Sequence, residues 1–262
     1  MPPALLLLYM ATIVTSGSQL VNFADTLTLT ESSENTMLPA ENVLNGRPGT
    51  RWETGSSSAN ENLVIDLGSP AGGTHFGFLK PEGITQTSSV TLEGNATDSW
   101  GSPSLSVALS SSGVKSFSPG VYRYWRFVFT KSSAGTAAQF SAFFLGGSTT
   151  FPVMEYDGYN EDRVDRSSTI IAEGGSYTDQ RLGYLRFTCP FSDITNSEKI
   201  TILGHWDTYG THTAFYFQAD DTELTTWYYV KYAEPPRFEN TGHDGSNLLW
   251  STTLTFNQEI NT

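Results

Sequence analysis

Six short apolar-rich runs in the first 150 residues read as strands: LVIDLG (63–68), THFGFLK (74–80), SVTLEG (89–94), SLSVALS (104–110), YRYWRFVFT (122–130) and QFSAFFLGG (139–147), the fifth with clear alternation. A period of two sends successive side chains to opposite faces of a strand. In the fifth run, Tyr122, Tyr124, Arg126 and Val128 share one face, and Arg123, Trp125, Phe127 and Phe129 share the other. The second set reads as core, with Arg123 at the strand entrance. Short strands parted by Gly, Ser, Asn and Pro predict a sandwich or jelly roll. No amphipathic helix of useful length interrupts them before residue 150.

After a Gly/Ser/Thr/Pro stretch at 146–152 the pattern changes, which places a domain boundary near residue 150. STIIAEGGSYTDQRLGYLRFTCPF reads as strands broken at Gly174-Gly175 and Gly183. TNSEKITILGHWDTYGT reads as a helix: Thr195 can cap it, Glu198 completes a capping box, and Ile200, Leu203 and Trp206 supply an apolar face. TAFYFQAD, TTWYYVKYAEPPRF and LLWSTTLTFNQEI read as three further strands. The expected fold is therefore mainly β: an N-terminal β-sandwich jelly roll over 1–150, and over 151–262 a β-rich domain with one helix packed on a sheet.

Composition agrees. Charged residues are only 16% while aromatics are 13%, too apolar for disorder and typical of strands and their turns. The net charge of −13 is uneven, with 7 basic and 10 acidic side chains in 1–150 against 7 and 17 in 151–262. An acidic surface repels phosphate, so no direct nucleic-acid binding is expected. The single cysteine, Cys189, excludes an intrachain disulfide and reads as a buried thiol in a strand. Near the N-terminus, Ala4 to Val14 form an apolar run followed by small residues, as in the hydrophobic part of a leader, which stays open as an alternative although no Lys or Arg precedes the run. Its 11 residues would make a helix of about 16 Å, too short for a bilayer core of about 30 Å. It reads as a first strand or a docked arm, and no membrane span is expected.

One stretch is more specific. PAENVLNGRPGTRWETG, Pro39 to Gly55, sets one Trp among tight turns, and NLVIDLG follows. Pro39, Ala40, Asn42, Asn45, Gly46, Thr50 and Trp52, then Ile65, Asp66, Leu67 and Gly68, resemble the discoidin family of coagulation-factor type C jelly rolls. YWRFVFT and FSAFFLGG resemble that family's closing strands, so the likeness spans about residues 30–147. It implies that Asn45, Gly46, Thr50, Trp52 and Asp66 are a folding signature in which Trp52 plugs one end of the sandwich. Many bacterial relatives hold calcium near an Asp-Gly turn with help from a Glu in the last strand. Here Asn45 replaces the Asp, and the last strand offers Ser141 and Ala142, so neither a metal ion nor a cofactor is expected. Relatives that bind sugars use variable loops. Trp100 in ATDSWGSP is the candidate stacking residue, the other reading being a packed or simply exposed loop Trp.

The second half, in the order RLGYLRFTCPF, helix, aromatic strand, EPPRF and final strand, resembles ring-forming domains of minor tail and baseplate proteins of long-tailed bacteriophages. That likeness implies a structural subunit of a virion tail tip, assembled in the host cytoplasm. Its partners would be copies of itself in a ring, six-fold by the resemblance, then tail tube, hub or other baseplate proteins, with host-surface glycans bound by the jelly roll. Phe215, Tyr216, Phe217, Trp227, Tyr228, Tyr229 and Tyr232 offer more aromatic surface than one small sheet face needs, which is expected to supply the ring contacts. The alternative is a carbohydrate-binding protein, secreted or displayed on a virion, with no ring-forming role.

Catalytic signatures are missing from the sequence: there is no Gly-x-Ser-x-Gly elbow, phosphate loop or His-Glu-x-x-His. His205 and His212 flank Asp207 without an evident fourth ligand, and His75 and His243 stand apart. In EYDGYNEDRVDR, Glu155, Asp157, Glu161, Asp162 and Asp165 lie beside Arg163 and Arg166, and the run reads as an exposed loop with local ion pairs. The sequon Asn95-Ala96-Thr97 bears on function only in a eukaryotic secretory route. The protein is therefore not expected to be an enzyme.

Overall fold

The structure, a computed structural model, describes residues 10–14, 28–44, 47, 49–55, 60–79, 89–109, 113–130, 137–154, 158–173, 175–219, 226–245 and 247–259. Contacts group the chain into two units, one of residues 14–148 and one of residues 149–260 joined by residues 1–13. Strand β1 (Met10–Val14) belongs to the sheet of the second unit, between two strands that follow more than 130 residues later, Ser148–Val153 and Phe215–Gln218. The sequence reading had grouped this segment with the jelly roll. Its apolar run suits an interior strand, but which sheet an interior strand joins is set by pairing far along the chain.

In the first unit, β2 (Thr28–Glu31), a short 3₁₀ turn (Ala40–Leu44), β3 (Trp52–Glu53), β4 (Asn60–Leu79), β5 (Ser89–Asn95), β6 (Leu105–Leu109), β7 (Gly113–Thr130), β8 (Gln139–Phe140) and β9 (Ala142–Gly146) follow in order. The main sheet is antiparallel, in the order β2-β4-β7-β5-β6, with β9 also on β4; β3 and β8 form a separate ladder. The two long strands break register between Asp66 and Ala71. Before the break β4 pairs with β2, and after it with β9, so one strand serves two parts of the sandwich. The break lies in IDLG. Gly68 has φ of 71°, a conformation that favours glycine, and its N–H donates to Asp66 Oδ1 at 2.8 Å.

Trp125, Phe127 and Phe129 are buried on the face read as core. They meet Leu63, Ile65, Phe76, Phe78, Val90 and Leu92 in one cluster. Trp52 is fully buried in it, edge-on to Phe129 at 5.3 Å between centroids and packed on Phe140 and Phe143.

The second unit runs β10 (Ser148–Val153), β11 (Asn160–Val164), β12 (Ser168–Ala172), β13 (Gly175–Asp179), β14 (Tyr184–Ile194), helix α1 (Asn196–Tyr209), β15 (Phe215–Gln218), β16 (Tyr228–Tyr232), β17 (Phe238–His243) and β18 (Leu248–Gln258). Its sheet has the order β10-β1-β15-β16-β18-β14-β11, with β17 on β18, while β12 and β13 make a hairpin of their own. Thr195 and Glu198 form the reciprocal capping box at the start of α1.

Four readings are corrected here. The helix packs through Ile202, His205 and Tyr209, with Trp206 partly buried against Tyr232 as expected but Ile200 exposed, because the apolar residues are spread round the helix and the sheet selects the buried ones. The stretch Asn160–Val164 is a strand rather than a loop. It is the edge strand β11 beside β14, and Glu161, Asp162 and Arg163 are exposed on it. Charge on an edge strand discourages pairing with another chain, and it also hides the apolar alternation by which strands are recognised. TTWYYVKYAEPPRF is not one strand: β16 ends at Tyr232, and β17 begins at Phe238 beyond Pro235-Pro236. Finally, the aromatic surplus is internal. Phe215, Tyr216, Phe217, Tyr229 and Tyr232 are all buried, since β15 and β16 are interior strands.

Candidate functional site

In the first unit, alternation along β4 sends Leu63, Ile65 and Leu67 inward and leaves Val64 and Asp66 on the other face. Register carries that face across the sheet. One row reads Val64, Arg126, Glu93, Ser106, and the next reads Asp66, Tyr124, Asn95. Arg126 donates from Nε to Glu93 Oε2 at 2.7 Å, and Arg123 grips Asp66 with Nε and Nη2 at 2.7 and 2.8 Å. The Arg123 bonds hold the Asp66 carboxyl below the usual carboxylate range.

Asn95 organises the loop that follows β5. Its Nδ2 donates to the Ser99 carbonyl at 2.6 Å, and its Oδ1 accepts from Ser104 Oγ and from the Ala96 N–H, both at 3.0 Å. The loop so pinned lays Trp100 over the sheet, its ring centroid 4.5 Å from Arg126 Cζ. Trp100 Nε1 donates to Asp98 Oδ1 at 2.6 Å. A half-buried indole is thus fixed from two sides, by a guanidinium that is itself held by Glu93 and by an exposed carboxylate. An aromatic face can accept the C–H groups of a sugar ring, and planar carboxylate, amide and guanidinium groups can bind hydroxyls in pairs.

The other residues singled out in the sequence have different places. Asn45 and Gly46 lie outside the described residues. Thr50 closes a turn, its N–H and Oγ1 both donating to the Arg47 carbonyl at 3.1 Å. Asn42 Nδ2 donates to the Arg51 carbonyl at 2.8 Å, which tethers the chain just before Trp52. Thr50 and Trp52 are framework, whereas Asp66 shares its face with Tyr124 and Asn95, in the row beside Arg126. The sequence reading missed Asp98, Glu93 and Arg126 as companions of Trp100. The outward phase of Arg126 and Glu93 was legible, but a loop folding back over them was not.

In the second unit the histidines do not converge. His212 and His243 are exposed, and His205 is buried between Phe151, Tyr209 and Phe215, with Nδ1 2.8 Å from the Tyr232 hydroxyl. Burial drives its pKa down to about 3. His75, in the first unit, has Nδ1 2.9 Å from Thr74 Oγ1. Among the described residues no three His, Cys, Asp or Glu side chains come together as a metal site. Glu155 and Asp157 lie outside the described residues, and Asp165 Oδ1 accepts from the Ser167 N–H at 2.8 Å. Cys189 is buried, which pushes its thiol pKa well up. Among the described residues, no helix is long and apolar enough to cross a membrane.

No family model matches the sequence, and no curated protein matches it. Solved structures do. A carbohydrate-binding module, the CBM32 of AlyQ in complex with 4,5-unsaturated mannuronic acid, is 21% identical with a TM-score of 0.37, over 45% of this chain and 92% of that one. A CBM32 from Clostridium perfringens in complex with GalNAc-β-1,3-galactose is 14% identical with a TM-score of 0.39, over 49% and 98%. A GH29 fucosidase from Ruminococcus gnavus in complex with fucose is 15% identical with a TM-score of 0.43, over 49% of this chain but only 26% of its own length.

Proposed function

We propose that the protein is a non-catalytic, glycan-binding structural subunit, and that a sugar ring stacks on Trp100. The observation that carries this reading is the preset indole: Asn95 fixes its loop, Arg126 backs its ring, and Asp98 holds its N–H. Such a ring loses little freedom when a ligand arrives, which keeps the cost of binding low. The Asp98 carboxylate at its edge favours neutral or cationic sugars over acidic ones.

The finer reading places this subunit in the tail tip of a long-tailed bacteriophage, with the second unit building a ring and the jelly roll presented to host glycans. With the aromatic strands buried, support for assembly comes from the β12–β13 hairpin instead. Ile170, Ile171 and Tyr177 there are 67%, 85% and 67% exposed. Cross-strand register puts Ile170 with Tyr177 on one face and Ile171 with Ser176 on the other, so both faces are bare. A two-stranded hairpin is marginally stable alone, and one this apolar gains by being covered.

A glycan array probed with the whole chain and with Trp100→Ala tests the first reading. Binding should fall at least about ten-fold in the variant, from loss of stacking of roughly 1.4 kcal/mol, with melting unchanged. Equal binding by both proteins would remove Trp100 from the site. Light scattering and negative-stain imaging test the second. Rings that disperse in the Ile170→Ser, Ile171→Ser double variant would support it, and a wild-type monomer that ignores purified tail tubes would sink it.

A further inference from the structure

β16 and β17 pair with successive stretches of β18, and the connection between them leaves a hollow of about 350 Å³ lined by Glu234, Pro235, Arg237, Glu239, Ser251 and Thr253 among others. Thr252 Oγ1 donates to the Arg237 carbonyl at 2.7 Å and ties the connection to the strand, while Glu239 sits directly opposite Ser251 in the ladder. The Arg237 guanidinium, the Glu239 carboxylate and the Ser251 and Thr253 hydroxyls make no hydrogen bond or ion pair with other described residues. Arg237 and Glu239 are two residues apart, opposite in charge and both exposed. Thr253 is exposed as well, so water holds these groups and a ligand entering the hollow can take its place.

The lining defines that ligand. Glu234 and Glu239, in a half of the chain with 17 acidic and 7 basic side chains, repel phosphate and carboxylate ligands. Arg237 in the same hollow repels a free cation, and a hard metal ion would want several charged oxygens without a guanidinium among them. What remains is a neutral molecule that gives hydrogen bonds to carboxylates, takes them from a guanidinium, and does both with hydroxyls. Each hydroxyl of a sugar has that double character. Pro235 adds an apolar wall, and the volume lies within the range of small-ligand sites. We infer that this hollow is a saccharide-binding site for one or two neutral sugar residues. It is separate from Trp100 and does not rest on the reading of that residue.

Amide NMR spectra of the whole chain, titrated to tens of millimolar with N-acetylglucosamine, methyl β-D-galactopyranoside, inorganic phosphate or free arginine, test this inference. Arg237, Glu239, Ser251 and Thr253 should shift and saturate with at least one sugar, and should stay still with phosphate and arginine. Arg237→Gln and Glu239→Gln should each weaken the sugar about ten-fold, as expected for losing a hydrogen bond to a charged group. Both side chains are exposed, so melting should not change, and Ser251→Ala gives a third, independent readout. Trp100→Ala should leave these shifts intact, which separates this site from the jelly-roll site. Silence with both sugars, equal shifts with phosphate or arginine, or full sugar response in the Arg237→Gln, Glu239→Gln double variant would each overturn it.

Discussion

Lowering the pH from 7 to 5 should weaken the second unit through one buried ring. His205 lies on the buried face of α1, stacked on Tyr209 and bonded to the Tyr232 hydroxyl, and burial lowers its pKa from 6.5 to about 3. The folded state therefore holds the ring neutral while the unfolded chain protonates it. The stability this neutral ring contributes is fully present above pH 6.5 and is lost as the pH falls through the window toward 3. At pH 5 the unfolded state gains about 1.5 pH units of proton binding that the folded state forgoes, or about 2 kcal/mol. The comparison protein is His205→Gln, whose amide can still meet Tyr232 but cannot take a charge. Urea unfolding of both proteins at a series of pH values, following the transition of the second unit, gives the difference directly. His75, also held low by desolvation, titrates in both proteins and cancels. The variant should be less stable than the parent at pH 7, and the gap should narrow by about 2 kcal/mol at pH 5. A gap that stays constant from pH 7 to pH 5 would refute the reasoning, since it would mean the ring protonates without cost where it lies.

Two further outcomes follow from packing and capping. Trp52→Ala should cost about 3–5 kcal/mol in the first unit, because the indole is fully buried against Phe129, Phe140 and Phe143, and calorimetry would show it as a collapse of that unit's melting; unchanged melting would make Trp52 dispensable to the fold. Thr195→Ala should cost about 1 kcal/mol by breaking the capping box of α1, read as faster amide exchange in its first turn, and Thr195→Ser should restore most of it.

What the sequence made legible was local. Turn chemistry around Trp52, the two-residue alternation through Trp125 and Phe129, and the Thr195–Glu198 cap each depend on residues a few positions apart, and such signals survive in one dimension. What was hidden depends on partners far along the chain. Asp66 reads as the end of a strand, yet its partner Arg123 is 57 residues away. β11 has no apolar face to announce it, because an edge strand is better protected by charge than by pattern. The aromatic strands looked like an interface because their number was visible and the sheet around them was not. At the candidate site, Trp100 was visible as a loop aromatic. Its seat on Arg126 was not, because it required folding a loop whose geometry rests on the side chain of Asn95.

The position of β1 bears on how this chain is made. A sheet with Met10–Val14 set between β10 and β15 cannot be completed by residues 149–260 alone. During synthesis the first unit, Val14 to Ser148, emerges with all its strands and can fold at once. β1 leaves the ribosome before that unit and is then kept waiting until its neighbours more than a hundred residues later have been translated. The second unit must therefore close last, around a strand of high sequence separation, which is the slow and aggregation-exposed kind of step. Separating the chain at residue 150 would leave the second unit with an interior gap in its sheet, so the two units are distinct in contact yet not independent in folding.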